Sequence, residues 1–520
     1  MLELSTPPAA LPLWNRLRTQ DPTARALSLF LPATVASQVL GIVRGVALAA
    51  LLGPPEFGLW LVIKLILTYL SQVPVADLHV LRHDLPVTGG AERHTAAVKL
   101  VRTLFTGHLL MVCGTAALCA AVLSVAPTWR QTLPDRAWIS IVAIALMQVI
   151  YNCSLARFQI EGGVVRYSST TVIFSLLSTV AVLLGAAACG LPGTLGGLAL
   201  AYAVTLGSLA EQRGLIVPIP IDWERLKAIW SEAIPVWMSS APAMLLADID
   251  QWLVLTWLGT QMLGVYGLAL FLGSLLHALP AIDRAVHQPL LLRRLRETPH
   301  WQGLGRWFHD MLLLTAYVSP IPIAVLFILV DPLIAVALPA YQSGAAAAKI
   351  YILGSFWGML IPLTSMVCLA MKRHRQWLRQ TLVAIAAHVA LTSFLLRQGG
   401  SVLEVAACMG IVFFVYASDQ IRLTASCVDL LSDLWPTLLT RVTFPFLTTL
   451  VMLGSLDVLF PKPTGTAILL LISTLRFVIA VAFFSWQFFA ADKRWGFTKV
   501  LTDLMKTAPY AEPTTSRITH

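Results

Sequence analysis

Leu51-Leu-Gly-Pro-Pro-Glu-Phe-Gly-Leu-Trp60 and Trp257-Leu-Gly-Thr-Gln-Met-Leu-Gly-Val-Tyr266 read as two copies of one turn, set 206 residues apart. In each, two glycines five positions apart interrupt a pair of long apolar runs. The register continues without a gap through Leu52/Leu258, Gly53/Gly259, Gly58/Gly264, Pro74/Pro280, Asp77/Asp283 and Val80/Val286. The two Pro-x-x-Asp copies, Pro74 to Asp77 and Pro280 to Asp283, are the strongest part of the match. A chain that repeats itself on this scale is a duplicated structure, and the repeat must be read before anything else.

The medium of that structure follows from composition. Hydrophobic residues make up 57% of the 520 and charged residues 12%, too little polar surface for a soluble chain of this length. The apolar residues fall in blocks of roughly 20, the length that crosses a bilayer. We count fourteen: 27–52, 58–80, 100–124, 137–157, 167–189, 194–211, 233–258, 264–282, 311–330, 346–370, 380–396, 402–421, 442–460 and 465–490. With residue 1 inside, the outer loops hold only Arg130, Arg136, Arg397 and Lys462 of the 36 Lys and Arg, and Arg44, Lys64, Lys349 and Arg476 fall within spans. Basic clusters such as Arg293-Arg-Leu-Arg296 and Lys372-Arg-His-Arg375 lie inside. This is the positive-inside pattern, and both termini are expected in the cytosol. The net charge of +10 then belongs to loops facing anionic lipid heads, and no base-reading motif supports a nucleic-acid partner.

The expected organisation is a cytosolic segment 1–26, an N-lobe 27–213 with six spans, a cytosolic linker 214–232, and a C-lobe 233–421 with six more. A connector 422–441, an extra pair of spans in 442–490 and a cytosolic tail 491–520 follow. Both halves begin and end inside, so the copies are related by an axis along the membrane normal, a device that transporters use around a central path. The seven cysteines are scattered through apolar spans with no Cys-x-x-Cys spacing and read as small apolar filler. No phosphate-binding loop, His-Glu-x-x-His or Gly-x-Ser-x-Gly is present, and the outer loops are short, so an enzyme acting on a membrane lipid is not expected. No cofactor is expected.

The turn Leu51 to Trp60 resembles a recurrent mark of the Wzx-type polysaccharide flippases, within the multidrug/oligosaccharidyl-lipid/polysaccharide exporter superfamily. The acidic span 7 that leads from Asp248-Ile-Asp250 into Leu258-Gly259 and Tyr266 is similar to another. The resemblance implies two six-helix lobes that open alternately inward and outward. It implies a lipid-pyrophosphate-linked oligosaccharide as cargo, and in many relatives a coupling ion, Na⁺ or H⁺. Polysaccharide polymerase and export proteins are the partners it implies, around a monomeric carrier. Many such flippases stop after twelve spans; the fourteen here are similar to the arrangement of peptidoglycan lipid II flippases.

Ionisable residues inside spans are functional candidates, because each is costly unless it faces water or a partner. Arg44 and Asp250 each lie nine residues before the first glycine of a turn, repeat-equivalent and opposite in sign. They either pair across the cleft or are held locally, by groups such as Gln38 and Gln251. Asp248 and Asp250 point to nearly opposite sides of one helix, and the repeat position favours Asp250 for the cleft. Lys64 has the uncharged Leu270 as its equivalent and suits a pyrophosphate. Arg284 and Arg476 are further candidate contacts for the head group, which makes the substrate set Arg44, Lys64, Arg284 and Arg476. Asp77 and Asp283, each three residues after a helix-bending proline, and the span-7 acids Asp248 and Asp250 are candidates for ion coupling or gating. Pro74 and Pro280 are the candidate hinges. A cation antiporter of the same fold and a non-transporting scaffold in an export complex are the rival readings. The first would be expected to have an acidic, aromatic cavity and the second a closed one.

Overall fold

A computed structural model describes residues 22–72, 106–107, 110, 113–114, 135–160, 164–211, 223–297, 304–371, 373–428, 435–460 and 465–498. These residues are helical almost throughout, in the order α1 (Pro22–Gln72), α2 (Asp135–Ile160), α3 (Val164–Glu211), α4 (Trp223–Glu297), α5 (Leu304–Val318), α6 (Pro320–Ala337), α7 (Ala345–Ala370), α8 (His374–Arg397), α9 (Val402–Cys427), α10 (Trp435–Leu459) and α11 (Thr466–Trp495). A 3₁₀ turn, Pro339–Gly344, joins α6 to α7. Ten helices among the described residues are long and apolar enough to cross a membrane, and the chain is an all-helical polytopic membrane protein. Of the fourteen spans, 58–80 is described only as far as residue 72 and 100–124 only at residues 106–107, 110 and 113–114; the other twelve coincide with described helix, including the short ones at 194–211 and 380–396.

Three of these helices are pairs of spans joined through a break. α1 breaks at Gly53 (φ 67°, ψ 171°) and α4 at Gly259 (φ 82°, ψ −179°). These are repeat-equivalent residues in one backbone conformation, at a positive φ that side chains other than glycine rarely take. The duplication read from sequence is therefore a duplication of backbone geometry. α3 breaks at Cys189–Gly190, between the fifth and sixth spans. Ser319, between α5 and α6, keeps helical dihedrals (φ −59°, ψ −29°), so the two run on as one long span.

By contacts the chain forms two compact units. The first holds residues 1–44 and 70–230 with 510–520; the second holds 45–69 with 231–509. Residues 45–69, the first turn and its flanks, thus pack with the C-terminal half. The reason is the second glycine of each copy. A methyl at Gly58 would land on the carbonyl oxygen of Thr260, and a methyl at Gly264 on that of Pro54. Pro54 and Thr260 are themselves repeat-equivalent, so each contact is the image of the other, as at a two-fold isologous interface. The Tyr341 hydroxyl donates to the Ala49 carbonyl at 2.8 Å and its ring meets Phe57 edge-on at 6.1 Å, closing the same region from the 3₁₀ turn.

In the first unit, Tyr151, Phe174 and Tyr202 form an aromatic triangle with centroids 4.6, 4.6 and 5.8 Å apart, joining α2 to both arms of α3. In the second, α7 lies at the centre, with Phe356, Trp357, Leu360 and Val367 fully buried. Gly354 meets Gly410 of α9 there.

Since backbone oxygens cannot swing aside, Gly264→Ala should lower the unfolding free energy by about 1–3 kcal/mol. Gly41→Ala, where nothing lies within 4 Å of the added carbon, should be neutral or slightly stabilising. Thermal unfolding in detergent, followed by tryptophan fluorescence, separates the two; equal midpoints would mean the turns do not press on one another.

Candidate functional site

The charges inside the spans find partners that the repeat does not pair. Arg44, in the first unit, is half-buried and donates from Nη1 to Ser178 Oγ at 2.7 Å, with the Tyr202 ring nearby. Ser178 also donates to the Ser175 carbonyl, which orients its oxygen. Asp250, in the second unit, is 1% exposed. Its Oδ2 accepts from the Tyr266 hydroxyl at 2.8 Å and its Oδ1 from the Gln251 amide at 2.8 Å. Each of the two repeat-equivalent charges is thus held locally, though the group that holds Arg44 is Ser178 and not Gln38. The repeat position favours Asp250 for the open side, yet Asp250 is the packed carboxylate and Asp248, two residues earlier, is the half-open one.

Asp248 is where the span charges converge. Its Oδ1 accepts from Gln251 Nε2 at 3.0 Å, Tyr69 stands beside it, and the Lys64 ammonium is within electrostatic reach. Lys64 therefore has an acid within reach, although its repeat equivalent Leu270 is uncharged. The depth explains the meeting. Lys64 lies eleven residues after Gly53 and Asp248 eleven before Gly259, about 16 Å along each helix from two turns that pack together. Trp252, one turn beyond Asp248 on the same face, brings its ring to 6.5 Å from that of Tyr69. The Thr68 hydroxyl closes on the Lys64 carbonyl at 2.8 Å. Sequence reasoning missed Tyr69 and Trp252, although Trp252 follows Asp248 by four residues, the spacing that shares a helix face.

The constellation Lys64, Tyr69, Asp248, Gln251 and Trp252 joins a cation, a carboxylate, an amide and two aromatic rings on two adjoining spans. It can bind an anionic group through the ammonium, accept from hydroxyls through the carboxylate, and lay a ring against indole. Among the described residues no cluster of His, Cys, Asp and Glu is built to hold a metal ion.

The remaining sequence candidates are placed as follows. Arg476 on α11 is 3% exposed and donates from Nη1 to Asp457 at 2.9 Å. Pro280, Asp283 and Arg284 lie within α4, but their side chains are outside the described residues, and Pro74 and Asp77 lie outside them altogether. Two span histidines that are not among those candidates are packed into the protein: His277 against Gly358 of α7, and His388, fully buried, on α8.

No protein-family model matches the chain, and no curated protein sequence matches it. Among solved structures it is similar to the lipid II flippase MurJ in an inward closed conformation, at 14% identity and a TM-score of 0.61, over 89% of this chain and 99% of that one. It is also similar to an outward-facing multidrug resistance MATE family transporter of the MOP superfamily, at 14% identity and a TM-score of 0.48, over 82% and 100%. A MATE protein in complex with MaL6 gives 14% identity and a TM-score of 0.49, over 81% and 100%. At such identities the likeness is one of fold, and the length of the MurJ chain is matched almost entirely.

Removing the Tyr266 hydroxyl leaves a buried carboxylate oxygen without its donor. Tyr266→Phe should therefore cost about 1–3 kcal/mol of unfolding free energy. In a double-mutant cycle with Asp250→Asn the two losses should fail to add, since they share one hydrogen bond. Simple additivity in thermal unfolding would show that the two groups do not support each other.

Proposed function

We propose that this chain is a flippase that carries a polyprenyl-pyrophosphate-linked oligosaccharide across the bacterial cytoplasmic membrane by alternating access, for surface polysaccharide assembly. The observation that carries the reading is the mid-depth cation Lys64, set beside Asp248, Tyr69 and Trp252 on adjoining spans. A half-open face bearing a lysine and a carboxylate in a membrane is tolerated where it lines a wet interior. The fold is similar to that of a lipid II flippase.

In this reading the pyrophosphate meets Lys64 by a charge-assisted contact, displacing part of its attraction to Asp248. Asp248 and Gln251 accept from and donate to sugar hydroxyls, and Trp252 and Tyr69 cover an apolar sugar face. Arg284 serves as the inner contact. The polyprenyl tail stays in lipid. The back-to-back turns at Gly58 and Gly264 form the closure on the outer side, and parting them opens the path outward. Pro74 and Pro280 supply the bends, with Asp77 and Asp283 as inner latches. The coupling ion, if one drives the cycle, is a proton or Na⁺ at the span-7 acids. The chain works as a carrier and not as an enzyme, alongside the polymerase and export proteins that consume its cargo.

The cation-antiporter reading has the acid pair Asp248 and Asp250 in its favour. The two separate in proteoliposomes loaded either with a fluorescent undecaprenyl-pyrophosphate N-acetylhexosamine or with a cationic dye and a pH gradient. Flipping of the lipid without dye transport is expected. Lys64→Met should slow flipping about 10- to 100-fold, the range of a lost hydrogen bond to a charged group, while Lys64→Arg retains most of it. Trp252→Ala should slow the sugar-bearing lipid and spare undecaprenyl pyrophosphate. Dye transport with no lipid flipping would replace this reading by the antiporter; neither activity would favour the scaffold.

A further inference from the structure

The ion cluster around Arg476 is built from two hairpins. On α6 and α7, Lys349 Nζ donates to Asp331 Oδ2 at 2.8 Å. On α10 and α11, Arg476 Nη1 donates to Asp457 Oδ1 at 2.9 Å. Each hairpin therefore brings one acid and one base to this place and is neutral there by itself. The hairpins then share partners. Lys349 Nζ also donates to Asp457, at 2.8 Å to Oδ2 and 3.2 Å to Oδ1, and Arg476 Nη1 stands 3.8 Å from Asp331 Oδ2. Arg476 Nη2 closes on the Phe460 carbonyl, and Lys349 sits 4.7 Å from the centre of the Phe327 ring. Side-chain exposure is 9% for Lys349, 5% for Asp331 and 3% for Arg476; Asp457, at 33%, is the open edge.

A different set of contacts holds the far end of α10–α11. The Arg441 guanidinium lies 4.6 Å from the Trp495 ring centre and 3.3 Å from His309 Nε2 on α5. His309 in turn faces Trp495 at 5.7 Å and bonds Asp310 at 2.9 Å. Between the two ends, Phe446 of α10 fits against Phe356 and Trp357 of α7, at 5.3 Å from each.

We infer that α10–α11 is a self-neutral hairpin that docks on α6–α7 through shared ion-pair partners, and that it stays docked as a fixed part of the C-terminal unit. Each hairpin can enter the membrane with its own charges matched, which limits the cost of carrying them there. Docking then puts each cation between two carboxylates in a low-dielectric setting, where a misplaced register would strand a charge. Complementary charge is thus a recognition code between two apolar surfaces that would otherwise slide along one another. One consequence is that the Arg476 guanidinium is spent on the dock and does not receive cargo. The shared-partner dock does not depend on what the chain transports; the fixed position during transport rests on the cargo proposed above.

Spin labels test it in the full-length chain with the seven native cysteines replaced by alanine. Val336 on α6 and Leu471 on α11 are 62% and 70% exposed and take labels without disturbing the core. A single narrow distance distribution is expected, unchanged on adding undecaprenyl pyrophosphate. Lys349→Met and Asp457→Leu should each broaden it or add a longer distance. The double variant, which leaves Asp331 with Arg476, should return it to the narrow form. Single variants as narrow as the parent, or a double variant as broad as either single, would overturn the shared-partner dock. A distance that shifts when the lipid is added would overturn the fixed hairpin. Where a single variant fails to fold, the double variant against the parent still decides, since a neutral pair removed in concert is expected to leave both fold and distance intact.

Discussion

Two turns touching backbone to backbone set the geometry of the second unit. Gly58 lies on the Thr260 carbonyl and Gly264 on that of Pro54, and no side chain larger than hydrogen fits at either point. The left-handed glycines Gly53 and Gly259 start those turns, so four glycines fix both the shape of each turn and how near the two can come. From that contact the depth of everything on the four flanking spans follows at about 1.5 Å per residue. Lys64 meets Asp248 because both hang equally far from it.

Within the membrane, every charge the structure describes in detail is met by a partner, but the partners differ in kind. Asp250 has a hydroxyl and an amide, a fixed solvation that suits a buried carboxylate. Arg44 has a serine oxygen and an aromatic neighbour. The α6–α7 and α10–α11 charges answer one another in a group of four with Asp457 at its open edge. Lys64 differs from these. It is exposed, on a stem that can extend, opposite a half-open carboxylate. The charges within the spans therefore differ in how completely each is enclosed.

Much of this was legible in the sequence. The repeat, the glycine turns and the spans could be read from periodicity and composition, because apolar run length and glycine placement are local properties; for Arg44 and Asp250 the sequence left pairing across a cleft and local tethering both open. What was not legible is which helix neighbours which. Comparing Arg44 with Asp250 followed the repeat, but spans that pack across an approximate two-fold set the second span of one copy against the first of the other. Counting residues from the turns, eleven to Lys64 and eleven back to Asp248, would have found that pair. The four-charge cluster needed more. Asp331 and Asp457 lie at span ends, where an acid reads as an interfacial residue, and only the packing of α11 against α6 turns Arg476 towards them.

The same two-fold contact explains why the copies have diverged where they have. A residue near the axis faces its own repeat image, and like meets like. Leu61 and Gly267 are equivalent positions, and Leu61 fills the space that a side chain on Gly267 would need, so two leucines could not coexist there. Charge obeys the same logic more strictly. A lysine retained in both copies at the level of Lys64 would set two cations in one membrane interior with a single acid nearby. The copy at Leu270 is uncharged, and the acid instead stands on the first span of the second copy, at Asp248. The repeat equivalents of this pair, Leu270 for Lys64 and Ile42 for Asp248, are both uncharged, so the sequence has dropped the second pair that an exact duplication would have held, while the backbone keeps its symmetry at the two glycine turns.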